Sequence, residues 1–477
     1  MTKFSRLPYK AFLLISAVGL LSILTANWIT TGIDTITDTR ARKWISMQSL
    51  GIDLTGRLHA VWVEKLGNSP NYLLYSFKSP GARWSSPETI AETVSVKCAL
   101  AVEKNSGSVH IAYIKQFGDS NDLCYTTNAN GGWQTVRITK DTVPNFTPAI
   151  ALENDSIPHV AWVTRLPGVA FKIGYSTSRT GRWENQLLMG SELGDFGSGA
   201  TPYLAISPAG CAHITYRGGN YPDYHIHHAE NTAPGDTHWF YEILTTSNNY
   251  DYISALAAGA NEELFLACSG NDGWGMPFRT HYLHRPAGSS VWDFAQLITG
   301  PFSAQLEGFF FDGRTIHITW QLINGNIAME QIYHCSNYSG NWINSPVRAD
   351  THTSGGSIVL DNNHCGHVLV KIETPADTEL YCIHSSPLTG ISEQEASFLP
   401  IGNSSTAFIT NRTEYRLPFK WTGNVEVYTN AGIRLVNLVA ENGNIQFVTG
   451  SKTGYGLRSG VYFLKKGNQL IRLIFVK

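Results

Sequence analysis

The chain has 477 residues, of which only 15% are charged and 12% are aromatic, and its formal net charge is −2. This near-neutral balance argues against binding to nucleic acid or to an anionic membrane surface. The low charge and the 44 glycines suit an exported globular protein.

The N-terminus has the pattern of an export signal. Lys3, Arg6 and Lys10 form a basic segment, and the 16 residues from Ala11 to Ala26 carry no charge. That stretch is short for a membrane span but suits the apolar core of a signal peptide. We therefore predict a signal peptide over residues 1–26 and a mature chain without a membrane span.

An apolar tetrad, headed by histidine in six copies, recurs at steps of 51, 49, 54, 104 and 50 residues, and a copy without the histidine fills the double step. A period near 50 residues, built from alternating apolar strands, predicts a β-propeller with one four-stranded blade per repeat. The predicted fold is all-β, with a seven-bladed β-propeller over residues 27–400 and a small C-terminal β-sandwich over residues 404–477. The tetrads are His59-Ala-Val-Trp62, His110-Ile-Ala-Tyr113, His159-Val-Ala-Trp162, His213-Ile-Thr-Tyr216, Leu264-Phe-Leu-Ala267, His317-Ile-Thr-Trp320 and His367-Val-Leu-Val370.

Each repeat also carries a second aromatic strand and then a tryptophan after a glycine-containing turn. We interpret these aromatics as packing between blades, and the repeated histidines as structural hydrogen-bonding groups rather than catalysts. The aromatic strands are centred on Tyr75, Tyr125, Tyr175, Tyr282, Tyr333 and Tyr381, and the tryptophans are Trp84, Trp133, Trp183, Trp239, Trp292 and Trp342.

The last repeat lacks its tryptophan after Tyr381, and a matching segment stands near the N-terminus. Ala26-Asn-Trp28-Ile-Thr-Thr is similar to Gly340-Asn-Trp342-Ile-Asn-Ser. We predict that the N-terminal strand, with Trp28, completes the last blade and so removes an exposed sheet edge. In the alternative, residues 27–40 are a linker and residues 392–400 supply this strand.

The seven cysteines do not form a compact disulfide framework. Cys211 and Cys365 stand at the same strand position of two different blades, and side chains at matching positions of different blades are too far apart to bridge. We expect most of the cysteines to be buried free thiols. No pair of histidines or cysteines has metal-ligand spacing with a partner pair, so neither a metal nor a cofactor is predicted.

The turns before two tryptophans read Thr126-Thr-Asn-Ala-Asn-Gly-Gly-Trp133 and Ser176-Thr-Ser-Arg-Thr-Gly-Arg-Trp183. They resemble the Asp-box, Ser-x-Asp-x-Gly-x-x-Trp, of sialidase-like BNR repeats, with Asn128 and Ser178 in place of the aspartate. Sialidase chemistry is not expected, because the chain has no Phe-Arg-Ile-Pro-type motif and no assignable arginine triad. Sialidases are, moreover, six-bladed.

The repeat period stops near Ser404. The segment Val425-Glu-Val-Tyr-Thr-Asn-Ala-Gly-Ile-Arg-Leu-Val436 is followed by Gly456-Leu-Arg-Ser-Gly-Val-Tyr-Phe-Leu464 and Gln469-Leu-Ile-Arg-Leu-Ile-Phe-Val-Lys477. This pattern resembles the type A sorting domain of the bacterial type IX secretion system, although Ile433 separates Gly432 from Arg434. The resemblance implies that the outer-membrane secretion machinery is a partner and that the protein is secreted or held on the outer cell surface. A small β-sandwich that caps the propeller is the alternative.

Polar and aromatic residues concentrate in the loops of blades three to five, on the face where propellers usually bind ligands. Aromatic rings stack on apolar sugar faces, and Asp, Asn and Arg side chains bind hydroxyl or carboxylate groups. We therefore predict a binding site for a glycan or another surface polymer, with polar loops that are held down by aromatics as the alternative. The predicted ligand-binding residues are Arg217, Tyr221, Asp223, Tyr224, Tyr250, Asp251, Asp272, Trp274, Arg279 and His281.

Two classes of function fit this pattern. The first is a secreted, monomeric binding module without catalysis. The second is a polysaccharide-active enzyme. In a lyase, Tyr224, His225 or His227 would act as base and Arg217 or Arg279 would neutralise the uronate carboxylate. A hydrolase would need two facing carboxylates, for which the candidates are Asp195, Asp223, Asp251 and Asp272.

Overall fold

The computed structural model forms two compact units, Met1–Gly390 and Ile391–Lys477. It describes residue 28, most of residues 32–388, and the backbone of seven strands between residues 405 and 476. The predicted signal peptide, residues 1–26, lies outside the described residues. Within 32–388 the residues not described are 38, 40, 169–170, 192, 195–199, 221–222, 246–249, 272–277, 294–295, 300–303, 323–330, 338–341, 349–352 and 374–377.

The first unit is the predicted propeller. Each of its seven blades is an antiparallel sheet with four strand positions, from the inner first strand to the outer fourth strand. The middle strands are apolar on both faces, as in β12, because every blade packs between two others. Blade one contains β2 (Arg42–Trp44), β3 (Leu50–Ile52), β4 (Leu58–Lys65), β5 (Tyr72–Lys78) and β6 (Glu88–Glu92). Blade two contains β7 (Val94–Val102), β8 (Val109–Phe117), β9 (Ser120–Thr127) and β10 (Gln134–Arg137). Blade three contains β11 (Asn145–Glu153), β12 (Ile157–Arg165), β13 (Phe171–Thr177) and β14 (Glu184–Leu188).

The remaining blades repeat this order. Blade four contains β15 (Tyr203–Ile206), β16 (Ala212–Asn220), β17 (Asp223–Asn231) and β18 (Trp239–Ile243). Blade five contains β19 (Tyr250–Ala258), β20 (Leu264–Asn271), β21 (Phe278–Arg285) and β22 (Gln296–Leu297). Blade six contains β23 (Ala304–Phe311), β24 (Ile316–Leu322), β25 (Gln331–Ser336) and β26 (Ile343–Arg348). Blade seven contains β27 (Thr353–Leu360), β28 (Cys365–Glu373), β29 (Thr378–Pro387) and the N-terminal β1 (Ile33–Thr37).

The ring is closed by the N-terminal strand. β1 pairs antiparallel with β29, with Ile33 opposite Ile383 and Thr35 opposite Tyr381. Trp28 precedes this strand rather than lying in it, and its side chain is 1% exposed. The last blade thus joins the two ends of the propeller chain, and residues from both ends share one sheet.

Aromatic rings link successive blades, as the repeat pattern predicted. In blades one to six the third strand places a ring against the tryptophan of the next blade, and Trp28 is that tryptophan in blade seven, where it contacts His334 at 5.4 Å. The other contacts, with centroid separations from 4.8 to 5.7 Å, are Tyr75–Trp133, Tyr125–Trp183, Tyr175–Trp239, His228–Trp292 and Tyr282–Trp342.

The strand register corrects three sequence assignments by one residue, in blades five, six and seven. In blade five, Phe265 rather than Leu264 pairs with His284 and takes the position that histidine holds in the other blades. In blade six, His334 and not Tyr333 contacts the next tryptophan. In blade seven, Cys382 rather than Tyr381 packs in the core cluster that includes Trp84. A shift of one residue turns a side chain to the other face of the sheet. Where a strand is apolar on both faces, the sequence does not alternate, and the register cannot be read from it.

The tetrad histidines are hydrogen-bonding groups, as predicted, and all of them are buried except His367, which is half-buried. In blade three, Nδ1 of His159 lies 2.6 Å from the hydroxyl of Tyr175, and Nε2 lies 3.0 Å from Glu153, which ends the first strand. Blades one and two repeat this plan with His59–Tyr75 and His110–Tyr125. Burial lowers the pKa of His159 to about 4, although Glu153 opposes the shift, so this ring is neutral at pH 7.

The first strand of blade one is divided into two short strands, and the segment between them crosses the central channel. β2 and β3 both pair with β4, and residues 45–49 lie between them. Gln48 donates from Nε2 to the carbonyl of Ile150 in blade three at 2.8 Å, and Ser357 of blade seven donates to the carbonyl of Met47 at 2.8 Å. Met47 also packs against the core cluster of blades four to six. One segment of blade one can reach all these inner strands only by spanning the axis.

The second unit is described by its backbone alone. Its strands pair in the order β30-β36-β35-β32-β33-β34-β31, and β30 runs parallel to β36. The sandwich arrangement predicted for residues 404–477 stays a prediction. The strands are β30 (Ser405–Thr410), β31 (Glu414–Arg416), β32 (Gly423–Thr429), β33 (Arg434–Glu441), β34 (Asn444–Gln446), β35 (Gly460–Lys466) and β36 (Gln469–Val476).

All seven cysteines lie among the described residues, and all are free thiols, five of them buried. None of the helical segments in the described part of the chain has the length and apolar character needed to cross a membrane.

Candidate functional site

The predicted site residues of blade four lie on the β16–β17 hairpin. Arg217 is 3% exposed, Tyr224 is 4% exposed, and the guanidinium carbon lies 4.9 Å from the centre of the tyrosine ring. A guanidinium over an aromatic face is attracted by the ring quadrupole. The pair therefore orients one planar cation near the end of the hairpin.

This pair faces blade five. Arg217 lies two residues beyond Thr215 on β16, so both side chains are on the same face of the sheet. The hydroxyl of Ser254, on the first strand of blade five, donates to that of Thr215 at 3.0 Å. Arg217 and Tyr224 therefore point into the space between blades four and five.

The predicted residues of blade five face the same space. Thr280 on β21 donates to the carbonyl of Ala304 in blade six at 3.2 Å. Arg279 and His281 flank Thr280 in the strand, so their side chains point the opposite way, toward blade four. The structure thus directs two arginines, a histidine and a tyrosine from two blades toward the space between them.

The histidines proposed as lyase bases lie on the other face of blade four. His227 stacks on Tyr216 with ring centroids 5.4 Å apart, and Tyr216 belongs to the core shared with blade three. His225 follows the same alternation. Among the candidate bases, only Tyr224 shares a face with Arg217, which the order of residues in the sequence did not reveal.

The other predicted site residues lie outside the described part of the chain or are described by their backbone alone. Tyr221, Asp272, Trp274 and Asp195 lie outside the described residues. The backbones of Asp223, Tyr250 and Asp251 are described but their side chains are not. Tyr250 pairs parallel with Tyr224, Asp223 pairs with Asn220, and Asp251 pairs with Gly270, so all three belong to strands at this end of blades four and five.

The long connection into blade four packs on the same hairpin. Gly194 has φ +60°, and a Cβ at this position would overlap the carbonyl oxygen of Gly219. Leu193, beside it, is 1% exposed in the core of blades three and four. A residue without a side chain is therefore required where this loop touches the hairpin.

The described cavities lie at the opposite end of the strands. Two adjoining cavities of about 440 and 480 Å³ form a funnel on the channel axis, lined by the turns between first and second strands. Phe309, Phe310, Phe311, Tyr203 and Lys104 line both. Sequence reasoning missed this funnel because its residues belong to the repeated blade core. Each blade contributes only one turn to it.

The carboxylates that line the funnel accept hydrogen bonds from the backbone of their own turns and lie beside the tetrad histidines. Burial alone would raise the pKa of Asp312, but the His317 ring 3.6 Å away and hydrogen bonds from the backbone of Thr315 and Arg314 hold it at about 2. At Asp361, burial is likewise outweighed by His367 and backbone donors, and its pKa is lowered. Asp312 and Asp361 thus interact with histidines and with backbone groups. What the funnel offers a ligand is mainly its apolar and aromatic surface.

No family model matches the chain, and no curated protein matches it. Among solved structures, an ulvan lyase of family PL25 bound to -[GlcA(1-4)Rha3S]- has TM-score 0.51 and 9% identity, over 76% of this chain and 96% of its own. An oligogalacturonate lyase in complex with manganese has TM-score 0.50 and 9% identity, over 76% and 96%. The BP39L lectin from Burkholderia pseudomallei has TM-score 0.50 and 11% identity, over 73% and 98%. Similarity at this identity shows the shared propeller fold.

Proposed function

We propose that this protein is a glycan-binding β-propeller whose ligand carries carboxylate or sulfate groups and binds in the cleft between blades four and five. The observation that carries the proposal is the convergence of Arg217, Tyr224, Arg279 and His281 on that cleft. Arginine binds planar anions with two parallel hydrogen bonds, and tyrosine offers a ring face to a sugar. Tyr221, Tyr250, Asp223, Asp251, Asp272 and Trp274 are the proposed contacts around the cleft.

The comparisons support this choice at the level of fold. Propellers of similar fold include an ulvan lyase, an oligogalacturonate lyase and a lectin. The cleft of this chain adds what the fold does not supply, namely cationic side chains from two neighbouring blades.

The test is binding of the mature protein to an array of neutral, uronate-bearing and sulfated glycans, followed by calorimetry with the best ligand. Arg217→Lys keeps the charge but loses the planar fork, so we expect affinity to fall about tenfold or more, which corresponds to about 1.4 kcal/mol. Trp274→Ala should weaken binding by a similar factor if its indole stacks on the sugar.

Arg165→Gln is the matched control. Arg165 also lies over an aromatic ring, Phe171, at 5.5 Å, and it is exposed at the same end of blade three. It should leave affinity unchanged. Equal losses in Arg165→Gln and in Arg217→Gln, which remove the same charge, would indicate a diffuse charge effect and contradict a site in the cleft.

A second candidate function is polysaccharide lyase activity in the same cleft, favoured by the contact between Arg217 and Tyr224. Arg217 or Arg279 would neutralise the uronate carboxylate, and the Tyr224 phenolate oxygen would accept the C5 proton. The C4–C5 double bond would form as the C4–O bond breaks, and the departing oxygen would take a proton back from Tyr224, which leaves an unsaturated sugar and a neutral leaving group. Hydrolysis would instead need a pair among Asp195, Asp223, Asp251 and Asp272.

Ultraviolet absorbance of unsaturated uronate separates the two classes. In a lyase, Tyr224→Phe should abolish turnover and spare affinity. In a binding module, the wild-type protein produces no such absorbance and the variant changes affinity alone. Loss of turnover in His225→Ala or His227→Ala, with Tyr224→Phe active, would place the base on the other face of blade four.

We also propose that the second unit directs export. Its motif-bearing segments, Gly460–Lys466 and Gln469–Val476, are paired strands, and the C-terminal motif resembles a type IX sorting signal. Together with the predicted signal peptide over residues 1–26, a sorting function of the second unit would place the propeller outside the cell or on the outer cell surface. We expect it to act there as a monomer. Deleting residues 391–477 in a host with that system should leave folded propeller in the periplasm, and normal surface display would contradict the proposal.

A further inference from the structure

Blade four departs from the hydrogen-bond plan of the other blades. Ser207 stands where five other blades carry a turn carboxylate, and His228 replaces the tyrosine of the third strand. A histidine also replaces tyrosine in blade six, but there the turn acid Asp312 is kept. In blade four the carboxylate comes instead from Glu230, two residues beyond His228 on the same strand.

These changes bring three metal-binding atoms together. Nδ1 of His213 lies 3.3 Å from Nε2 of His228 and 3.1 Å from Oε2 of Glu230. All three atoms lie within 4.8 Å of one another, and no other group of three such side chains does so in the described part of the chain. Zinc ligands about 2.0–2.1 Å from the ion are separated by about 3.3 Å in a tetrahedron. The separations of His213 from His228 and from Glu230 match that edge length.

The surroundings orient these atoms. Nδ1 of His228 donates to Glu242 at 2.8 Å, so its Nε2 carries the lone pair that faces His213 and Glu230. Glu242 is held in turn by the indole nitrogen of Trp292 at 2.9 Å. A histidine bound to a carboxylate through one nitrogen and to a metal through the other is a common arrangement in zinc sites.

Glu230 is poised as an anionic ligand. Its carboxylate lies between His213, at 3.1 Å, and the guanidinium group of Arg285. Its Oε2 is buried and, although Arg285 of blade five lies 2.7 Å away, neither contact has the geometry of a hydrogen bond. Arg285 can remain beside the carboxylate as an outer partner.

We propose that His213, His228 and Glu230 bind a zinc ion, with water as the fourth ligand. Two imidazoles and one carboxylate are a ligand set that zinc accepts, and the site requires His213 with its proton on Nε2. His213 precedes Arg217 by four residues on β16, about 13 Å along the strand, so this site is separate from the glycan cleft. Its ligands come from one hairpin and its outer partner Arg285 from the next blade, so zinc would brace blades four and five.

The test uses the full mature chain after chelator treatment, titrated with Zn²⁺ against a chromogenic zinc indicator. We expect one zinc per chain, a rise in melting temperature with added zinc, and loss of at least tenfold in affinity in Glu230→Gln. Substitution with Co²⁺ should give the intense visible absorption of a four-coordinate site, and Glu230→Gln should remove it. Glu242→Gln, which alters only the outer shell, should weaken binding by about 10–100-fold.

Blade six supplies the matched control. Its stacked pair His317–His334 has nearly the same geometry, with 3.1 Å between Nδ1 and Nε2, but Ser336 stands at the position of Glu230. His334→Gln should therefore leave the zinc stoichiometry unchanged, whereas His228→Gln should abolish it. Absence of stoichiometric zinc in the wild-type chain, or equal effects of the two histidine variants, would overturn the proposal. Glycan affinity is measured independently in the same variants.

Discussion

Trp28 should contribute more to the stability of the propeller than its position near the N-terminus suggests. Its side chain is 1% exposed and lies in the core between blades six and seven, five residues before the strand that closes the ring. A tryptophan buries about 150–250 Å² on folding, worth about 4–6 kcal/mol at 25 cal/mol per Å² as an upper bound. Its neighbours in this core are Ile332, Val347, Ile358, Leu360, Val368, Val370 and Ile383.

Trp28→Ala should therefore lower the free energy of unfolding by about 3–5 kcal/mol, the usual range for removing a large aromatic from a core. An unfolding entropy of about 2.1 cal/mol/K per residue, over about 360 residues, is roughly 0.75 kcal/mol/K. The melting temperature should thus fall by about 4–7 °C. Differential scanning calorimetry of the mature chain measures this directly.

Trp28→Phe is the matched variant. The indole nitrogen of Trp28 is buried and has no hydrogen-bond partner among the described residues, so phenylalanine keeps most of the apolar area and removes that donor. It should cost less than half of the alanine effect. An alanine variant that melts within about 1 °C of the wild type would show that Trp28 does not stabilise the strand that closes the ring.

Three further predictions concern acid stability, the loop into blade four, and the second unit. Burial lowers the pKa of both His59 and His159 to about 4 from an ordinary value near 6.5, so the unfolded chain binds more protons between these values. Stability should be complete above about pH 6.5 and fall toward pH 4, and equal urea midpoints at pH 7 and 4.5 would contradict this. Gly194→Ala should destabilise the fold by about 1–3 kcal/mol and weaken glycan binding, because its methyl overlaps Gly219; unchanged melting and affinity would argue against this loop contact. Deleting residues 391–477 should leave the melting temperature of the propeller unchanged, because they form a separate compact unit, and a large shift in calorimetry would reveal a supporting role.

Much of the candidate site could be named from sequence, but its arrangement could not. Tyr224, His225 and His227 lie close together along the chain and looked equivalent as candidate bases. Alternation in β17 puts Tyr224 toward blade five and His225 toward blade three, and only strand pairing shows which neighbour each face meets. The convergence of Arg217 with Arg279 depends on contacts between residues more than sixty positions apart.

The sequence by itself determined the number of blades, their order and the role of the repeated histidines. It could do so because every blade buries the same pattern of apolar and aromatic residues against its neighbours, so packing repeats with the period of the chain. Tertiary structure decided the features that break the repeat: the segment 45–49 across the channel, the shift of register at Phe265, and the cluster of His213, His228 and Glu230. These depend on register and on contacts between blades, where a shift of one residue reverses the face on which a side chain lies.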